Sequence, residues 1–325
     1  MKKFVGTGLA ILAVALVGPA PPARAQAFPD HPVKVVVPYP AGGPADTVAR
    51  VTTQGLGAEL GGSVIIENVA GAGGRLATKD VTRAAPDGYT LLLGSSNEYA
   101  ITPALYQKLD FDPVKDLVPV APLVTDSIAI VVHPSVPVNS LKELAAYASA
   151  HPGKLTMGST LGIAPHLALM YFEAHMHADI VFVPYKGAAP GLADAMGNQI
   201  QVTSSAKSVL VPLIKAGKLK ALAVSSSARW PELPEVPTFA ESGLDGFPAT
   251  ILFGLMAPTG TPSGIIAKIN AAENARLKSE ATQAGIAKLG MYPNIETSAA
   301  FARQLADDAV LWRAVVKESG VHLDE

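Results

Sequence analysis

Along the chain, short β-branched apolar runs alternate with segments whose apolar positions recur at helical spacing, and loops of small residues separate the two. Val33 to Val37 is such a run, ending in Pro38-Tyr39-Pro40-Ala41-Gly42-Gly43. Thr47 to Leu60 reads as a helix, with Val48, Val51 and Leu56 on one face and Gly61-Gly62 as its stop. A strand at Val64 to Glu67, a helix from Leu76 to Ala84 and a strand at Tyr89 to Leu93 repeat the unit. A second cycle opens with Ile128 to Val132. It continues through strands at 154–158, 180–184, 200–203 and 219–224, with helices at 165–175, 189–196 and 208–216 between them. After a Pro- and Gly-rich stretch from Pro231 to Pro248, Ile251 to Ala257 reads as a strand returning to the first unit. Helices at 262–279, 282–289 and 298–318 close the chain. Continuous apolar strands alternating with helices predict an α/β fold built on parallel sheets covered on both faces. Two α/β lobes with a ligand cleft between them follow: lobe 1 from 28–124 and 252–325, lobe 2 from 125–251.

The amino terminus places this fold outside the cytoplasm. Met1-Lys2-Lys3, an apolar run from Phe4 to Val17 and a small-residue end at Ala25-Gln26-Ala27 read as a cleavable signal peptide over residues 1–27. The apolar run is shorter than the ~20 residues that span a bilayer. No cysteine is present, so a lipid anchor and a disulfide framework are both excluded. The leader carries Lys2, Lys3 and Arg24 and no acid, so its removal takes the formal charge from −2 to −5 and leaves 298 residues. A nucleic-acid partner does not fit that balance. Hydrophobic residues at 49% against 16% charged support large cores rather than disorder.

Five loops follow strand ends and precede helices, on the sheet edge where open α/β folds bind ligands. They hold Tyr39, Ala41, Gly42, Gly43 and Asp46; Ser95, Ser96 and Asn97; Ser159, Thr160 and Gly162; Tyr185; and Ser204, Ser205 and Lys207. Their small residues let backbone approach a ligand, and a helix amino terminus offers free N–H groups and a positive dipole end. Several such ends on one cleft are able to hold a carboxylate. His166, in a first helical turn, is a candidate for ligand contact or loop bracing, and Phe253 lies on the strand that returns to the cleft. Asp46 fits a cap or brace better than a base.

Rival chemistries find no support in the residues. Gly71-Ala72-Gly73-Gly74 lacks dinucleotide spacing and fits close backbone packing, so no cofactor is expected. Ser159 lacks the Gly-x-Ser-x-Gly frame, since Met157 stands where a glycine is needed. His175 and His177 fall at a helix end, where free carbonyls attract them, and no metal site is expected. Without a catalytic residue set, the chain is read as a binding protein and not an enzyme.

Several motifs together resemble the Bug-type receptors of tripartite tricarboxylate transporters. They are Val35-Val36-Val37-Pro38-Tyr39-Pro40-Ala41-Gly42-Gly43 with Asp46, Ala84 to Leu92, Phe111 to Asp116, Val183-Pro184-Tyr185-Lys186-Gly187, Lys215 to Leu219 and Pro234 to Thr238. The likeness covers essentially the whole mature chain. It implies a type II periplasmic-binding-protein fold that closes over a mono-, di- or tricarboxylate or an aromatic acid. It also implies that the Tyr39–Gly43 and Ser159–Gly162 loops hold one carboxylate through backbone groups and water. Partners by this resemblance are membrane transporter subunits or a sensor kinase, with the receptor itself monomeric in the periplasm. The sequence departs from the family where many relatives carry an Asp-Asn pair and this chain has Ser205-Ala206. That departure argues against an α-amino acid ligand. It leaves Lys207 either to face a second ligand carboxylate or to sit in solvent.

Overall fold

The computed structural model describes residues 28–106 and 108–323 together with Met1, so the rest of the leader read at residues 1–27 lies outside the described residues. Strand β1 (Val33–Val37), buried on both faces, leads through the Pro-rich loop into α1 (Pro44–Thr53) and α2 (Leu56–Leu60). Then come β2 (Val64–Asn68), α3 (Arg75–Thr82) and β3 (Thr90–Ser95). A π-helical turn at Asn97–Ile101 runs into α4 (Thr102–Leu105), followed by α5 (Pro113–Asp116) and the long β4 (Leu117–Asp126). The second sheet takes β5 (Ile128–Val132), β6 (Thr156–Thr160), β7 (Val181–Tyr185), β8 (Val202–Ala206) and β9 (Lys220–Val224). Their helices are α6 (Leu141–Ala150), α7 (Ala164–Met176), α8 (Ala188–Met196) and α9 (Lys207–Lys215). The chain returns through β10 (Ile251–Pro258), α10 (Ser263–Leu277), α11 (Glu280–Lys288) and β11 (Tyr292–Pro293), and ends in α12 (Ser298–Ser319).

The continuous helix expected over Thr47 to Leu60 is two helices. Gly55 sits at φ +93°, and an added Cβ there would meet Arg276 Nη1 at 2.8 Å. Arg276 Nε donates to the Thr52 carbonyl at 2.7 Å, which satisfies the end of α1 from a distant helix. Sequence periodicity carries no trace of that partner.

Both sheets are mixed rather than parallel. The first has order β11-β4-β10-β3-β1-β2, and the second β7-β6-β8-β5-β9. β1 pairs in parallel with β2 and β3, but β10 runs antiparallel to β3 and β4. In the second sheet β6 is parallel to β7 and β8, while β5 is antiparallel to β8 and β9. The cause is the double crossing. Strands such as β1, β3 and β8 end at the cleft, whereas β5 and β10 begin there after the chain passes between lobes, so each must run against its neighbours. The sheets change hands between Asp126 and Ile128, and again between Val224 and Ile251.

Helix α12 straddles the two lobes. Its Phe301 and Leu305 are buried against the first sheet. Farther along, Trp312 meets Phe247 edge-on at 5.3 Å, and Tyr171 of α7 donates to Glu318 at 2.9 Å. Among the described residues no helix is long and apolar enough to cross a membrane.

Candidate functional site

A cavity opens between the lobes, with about 530 Å³ of space between its atoms, part of it continuous with solvent. The first lobe supplies Tyr39, Pro40, Gly43, Pro44, Ala45, Asn97, Ile251 and Phe253. Opposite them stand Ser159, Thr160, Ile163, Pro165, Ala188, Ser204, Ser205 and Ala206. None of these is Lys, Arg, His, Asp or Glu, so an anionic ligand must be met by N–H dipoles and hydroxyls. Helix α1 begins at Gly43 and α8 at Gly187, and neither start has a capping side chain. Each of these two amino termini loses one first-turn donor to proline, Pro44 in α1 and Pro190 in α8, and offers its remaining first-turn N–H groups to the cavity rim. Helix α7 offers less, because Pro165 has no N–H and Ala164 N–H already donates to Asn97 Oδ1 at 2.9 Å.

That Asn97–Ala164 bond joins the lobes directly. Gly73 adds a second close approach: at φ +64° it leaves room for the Leu161 carbonyl, which an added Cβ would meet at 2.9 Å. The glycine-rich 71–74 segment is thus a packing surface at the cleft rim.

Beneath the cavity lies Glu98, a residue that the sequence reading did not single out. It is fully enclosed and accepts from Tyr39 Oη at 2.5 Å, Ser95 N at 2.7 Å and Ser95 Oγ at 2.8 Å. Burial raises its pKa against the lowering pull of those donors. Tyr39 is raised well above a free tyrosine by its own burial and by the Glu98 charge, so it stays a neutral donor. The only hint in the sequence was an acid inside an otherwise apolar stretch, Glu98-Tyr99-Ala100-Ile101.

Of the residues expected at the site, Tyr39, Gly43, Asn97, Ser159, Thr160, Ser204, Ser205 and Phe253 line the cavity. The others stand behind it. Ala41 is exposed on the loop, and Gly42 donates to Asp46 Oδ2 at 2.9 Å. Asp46 is gripped by Arg50 through Nε at 2.9 Å and Nη2 at 3.0 Å. Burial tends to raise the Asp46 pKa, but Arg50 and the Gly42 N–H outweigh it and hold the carboxyl below its ordinary value. Asp46 braces the loop. Ser95 serves Glu98, and Ser96 Oγ accepts from Leu252 N at 3.0 Å. His166 Nδ1 accepts from Gly162 N at 3.3 Å, and burial depresses its pKa to about 4, so it holds that loop as a neutral ring. Tyr185 donates to Asp194 at 2.6 Å, away from the cavity.

Lys207 corrects both expectations made for it. Its side chain is 2% exposed, and Nζ lies 3.0 Å from Glu232 Oε2. Trp230 and Tyr292 present ring faces to the ammonium at 5.5 and 5.6 Å. The stem runs away from the cavity toward Gly290, where an added Cβ would sit 2.5 Å from Lys207 Cε. The missing side chain at Gly290 makes that path possible. Among the described residues no cluster of three metal-ligating side chains occurs.

The family described as "Tripartite tricarboxylate transporter family receptor" matches residues 48–321. The chain is 36% identical to Protein BugT of Bordetella pertussis over 312 residues, covering 95% of this chain and 96% of that protein. It superposes on the structure of periplasmic binding protein BugD with a TM-score of 0.86 at 32% identity, over 92% of this chain and all of the other. On MatC from Rhodopseudomonas palustris with bound malate, the TM-score is 0.84 at 34% identity, over 89% of this chain and all of the other.

Proposed function

The chain belongs to the tripartite tricarboxylate transporter receptor family, a family of solute receptors and not enzymes, and from that premise we propose how it works. It captures one small carboxylated solute between its lobes and delivers it to membrane subunits of a transporter. The observation that carries this reading is the cavity: both lobes line it, none of its lining residues among those described is charged, and two uncapped helix starts face it. A carboxylate there exchanges hydration for oriented N–H groups and hydroxyls without requiring a buried cation. Malate bound to MatC supports a carboxylic acid as the class of solute. Residues 1–27 act as a cleaved leader, and the mature protein works as a monomer in the periplasm without a cofactor.

The test is a stability screen against carboxylic acids and their matching amides. An acid at ~100 times its dissociation constant adds about 2.7 kcal/mol of stability, and its amide adds far less. Equal stabilisation by acid and amide, or none by any acid, contradicts the reading.

A further inference from the structure

Two hydroxyls and one carboxylate at the second-lobe end of the cavity narrow the class of ligand. Ser204 and Ser205 line the cavity at the end of β8, are 3% and 1% exposed, and their Oγ atoms have no hydrogen-bond partner within the protein. Buried hydroxyls normally find a partner. Both residues border the cavity, where a bound molecule is the available partner for one or the other. They can donate or accept, so by themselves they do not separate an ionised oxygen from an uncharged one.

The adjoining helix makes that separation. Helix α9 starts directly after Ala206, and an open helix start would welcome an anion. Here its first donor is taken, since Lys207 N–H donates to the Ser127 carbonyl at 2.7 Å. Beside it Ser208 gives its Oγ proton to Asp126 Oδ2 at 2.6 Å, which sets a carboxylate next to the helix start. Asp126 is fixed by strand register opposite Ile251, which lines the cavity, and accepts from Ser127 N at 2.7 Å. Burial lifts the Asp126 carboxyl to about 6, which leaves it ionised at neutral pH. Lys207, next to Ser208 on α9, is already bound to Glu232. Asp126, Lys207 and Glu232 thus sum to one negative charge behind the serines.

We propose that this end of the cavity excludes a second charged group and reads an uncharged oxygen, so that the solute carries one ionised carboxyl and, opposite it, a hydroxyl or carbonyl. The carboxyl faces the starts of α1 and α8, while Ser204 or Ser205, which leave opposite faces of β8, meets the uncharged oxygen. Pro44, Ile251 and Phe253 enclose the apolar body between them. A second carboxylate would meet the Asp126 charge beside a helix start whose first donor is taken, and the Lys207 ammonium that could offset its desolvation is held by Glu232. This assignment rests on the receptor reading above and refines it.

The experiment is calorimetry at pH 7.5 on the full-length mature protein with two matched sets: butyrate, 4-hydroxybutyrate and succinate, and benzoate, 4-hydroxybenzoate and terephthalate. In at least one set the hydroxy acid binds about tenfold more tightly than the plain acid, as one good buried hydrogen bond allows. The dicarboxylate of that set binds more weakly than the hydroxy acid by a similar factor or more. Ser204→Ala with Ser205→Ala reduces the hydroxy-acid advantage over the plain acid to about twofold or less. Asp126→Asn, checked for folding by circular dichroism, tightens the dicarboxylate relative to the hydroxy acid. A dicarboxylate that binds as well as its hydroxy partner overturns the assignment, as does a serine variant with an unchanged ratio. Silence from all six acids overturns it too, whereas the receptor reading falls only if the wider carboxylate screen is also empty.

Discussion

Glu98 anchors the floor of the cavity, and its removal gives a measurable prediction. The side chain is 1% exposed and accepts three hydrogen bonds, one from Tyr39 and two from Ser95. Glu98→Leu leaves these three donors enclosed without an acceptor, at about 1–3 kcal/mol for each group that cannot relax toward another partner. Against this stands the recovered desolvation of the carboxylate, which the raised pKa of Glu98 records. The balance is a net loss of roughly 2–4 kcal/mol. Glu98→Gln keeps one acceptor oxygen but turns an amide N–H₂ toward the other donors, and loses roughly 1–2 kcal/mol. Urea denaturation followed by Trp fluorescence measures both. A double-mutant cycle with Tyr39→Phe isolates the Tyr39–Glu98 bond, with a coupling of about 1–2 kcal/mol for a charge-assisted contact. Because Tyr39 lines the cavity, Glu98→Leu also weakens ligand binding, while a variant on the far face of α10 does not. Wild-type stability in Glu98→Leu, or a coupling near zero, refutes the network.

Other residues yield sharp expectations. Glu273 on α10 is fully buried with both carboxylate oxygens unpartnered, and burial lifts its pKa from the ordinary 4.5 to about 8. The folded state then binds the extra proton between those values, so stability falls as pH rises through the interval. The loss is roughly 3–5 kcal/mol by pH 8, and Glu273→Met abolishes this slope in urea titrations at pH 5 and pH 8; an unchanged slope contradicts the assignment. Lys207→Ala strands Glu232 and costs about 2–4 kcal/mol of stability, while calorimetry finds ligand affinity within about twofold of wild type. A large affinity loss there would return Lys207 to the cavity. Asn97→Ala removes the direct bond to Ala164 and weakens ligand binding by about 3–10-fold, because that bond ties together the two walls of the cavity that Asn97 lines. No change in affinity would show that this bond does not support the site.

The alternation of strands and helices was legible because each unit buries its own apolar face, and periodicity records burial. Strand direction was not. β10 and β5 read as apolar runs like the others, and their antiparallel placement comes from where the chain re-enters each sheet. Half of the cavity wall was visible in the small-residue loops, since Ser159, Thr160, Ser204 and Ser205 stand at strand ends where such folds bind ligands. Ile163, Ala188, Ile251 and the prolines were missed, because an apolar residue facing a ligand has the same pattern as one facing the core. Lys207 misled for a related reason. Its partner Glu232 is 25 positions away in sequence, and Gly290, whose bare Cα admits its stem, comes from the opposite lobe. Glu98 was hidden by the π-helical turn, which no local pattern announced.

The most direct test of the central claim is a crystal structure of the protein grown with the acid that stabilises it most. The account predicts one molecule between the lobes, its carboxylate within hydrogen-bond distance of N–H groups at the starts of α1 and α8, and Ser204 or Ser205 bonded to its opposite end. Ligand density outside this cavity, or a carboxylate held by a charged side chain, would contradict it.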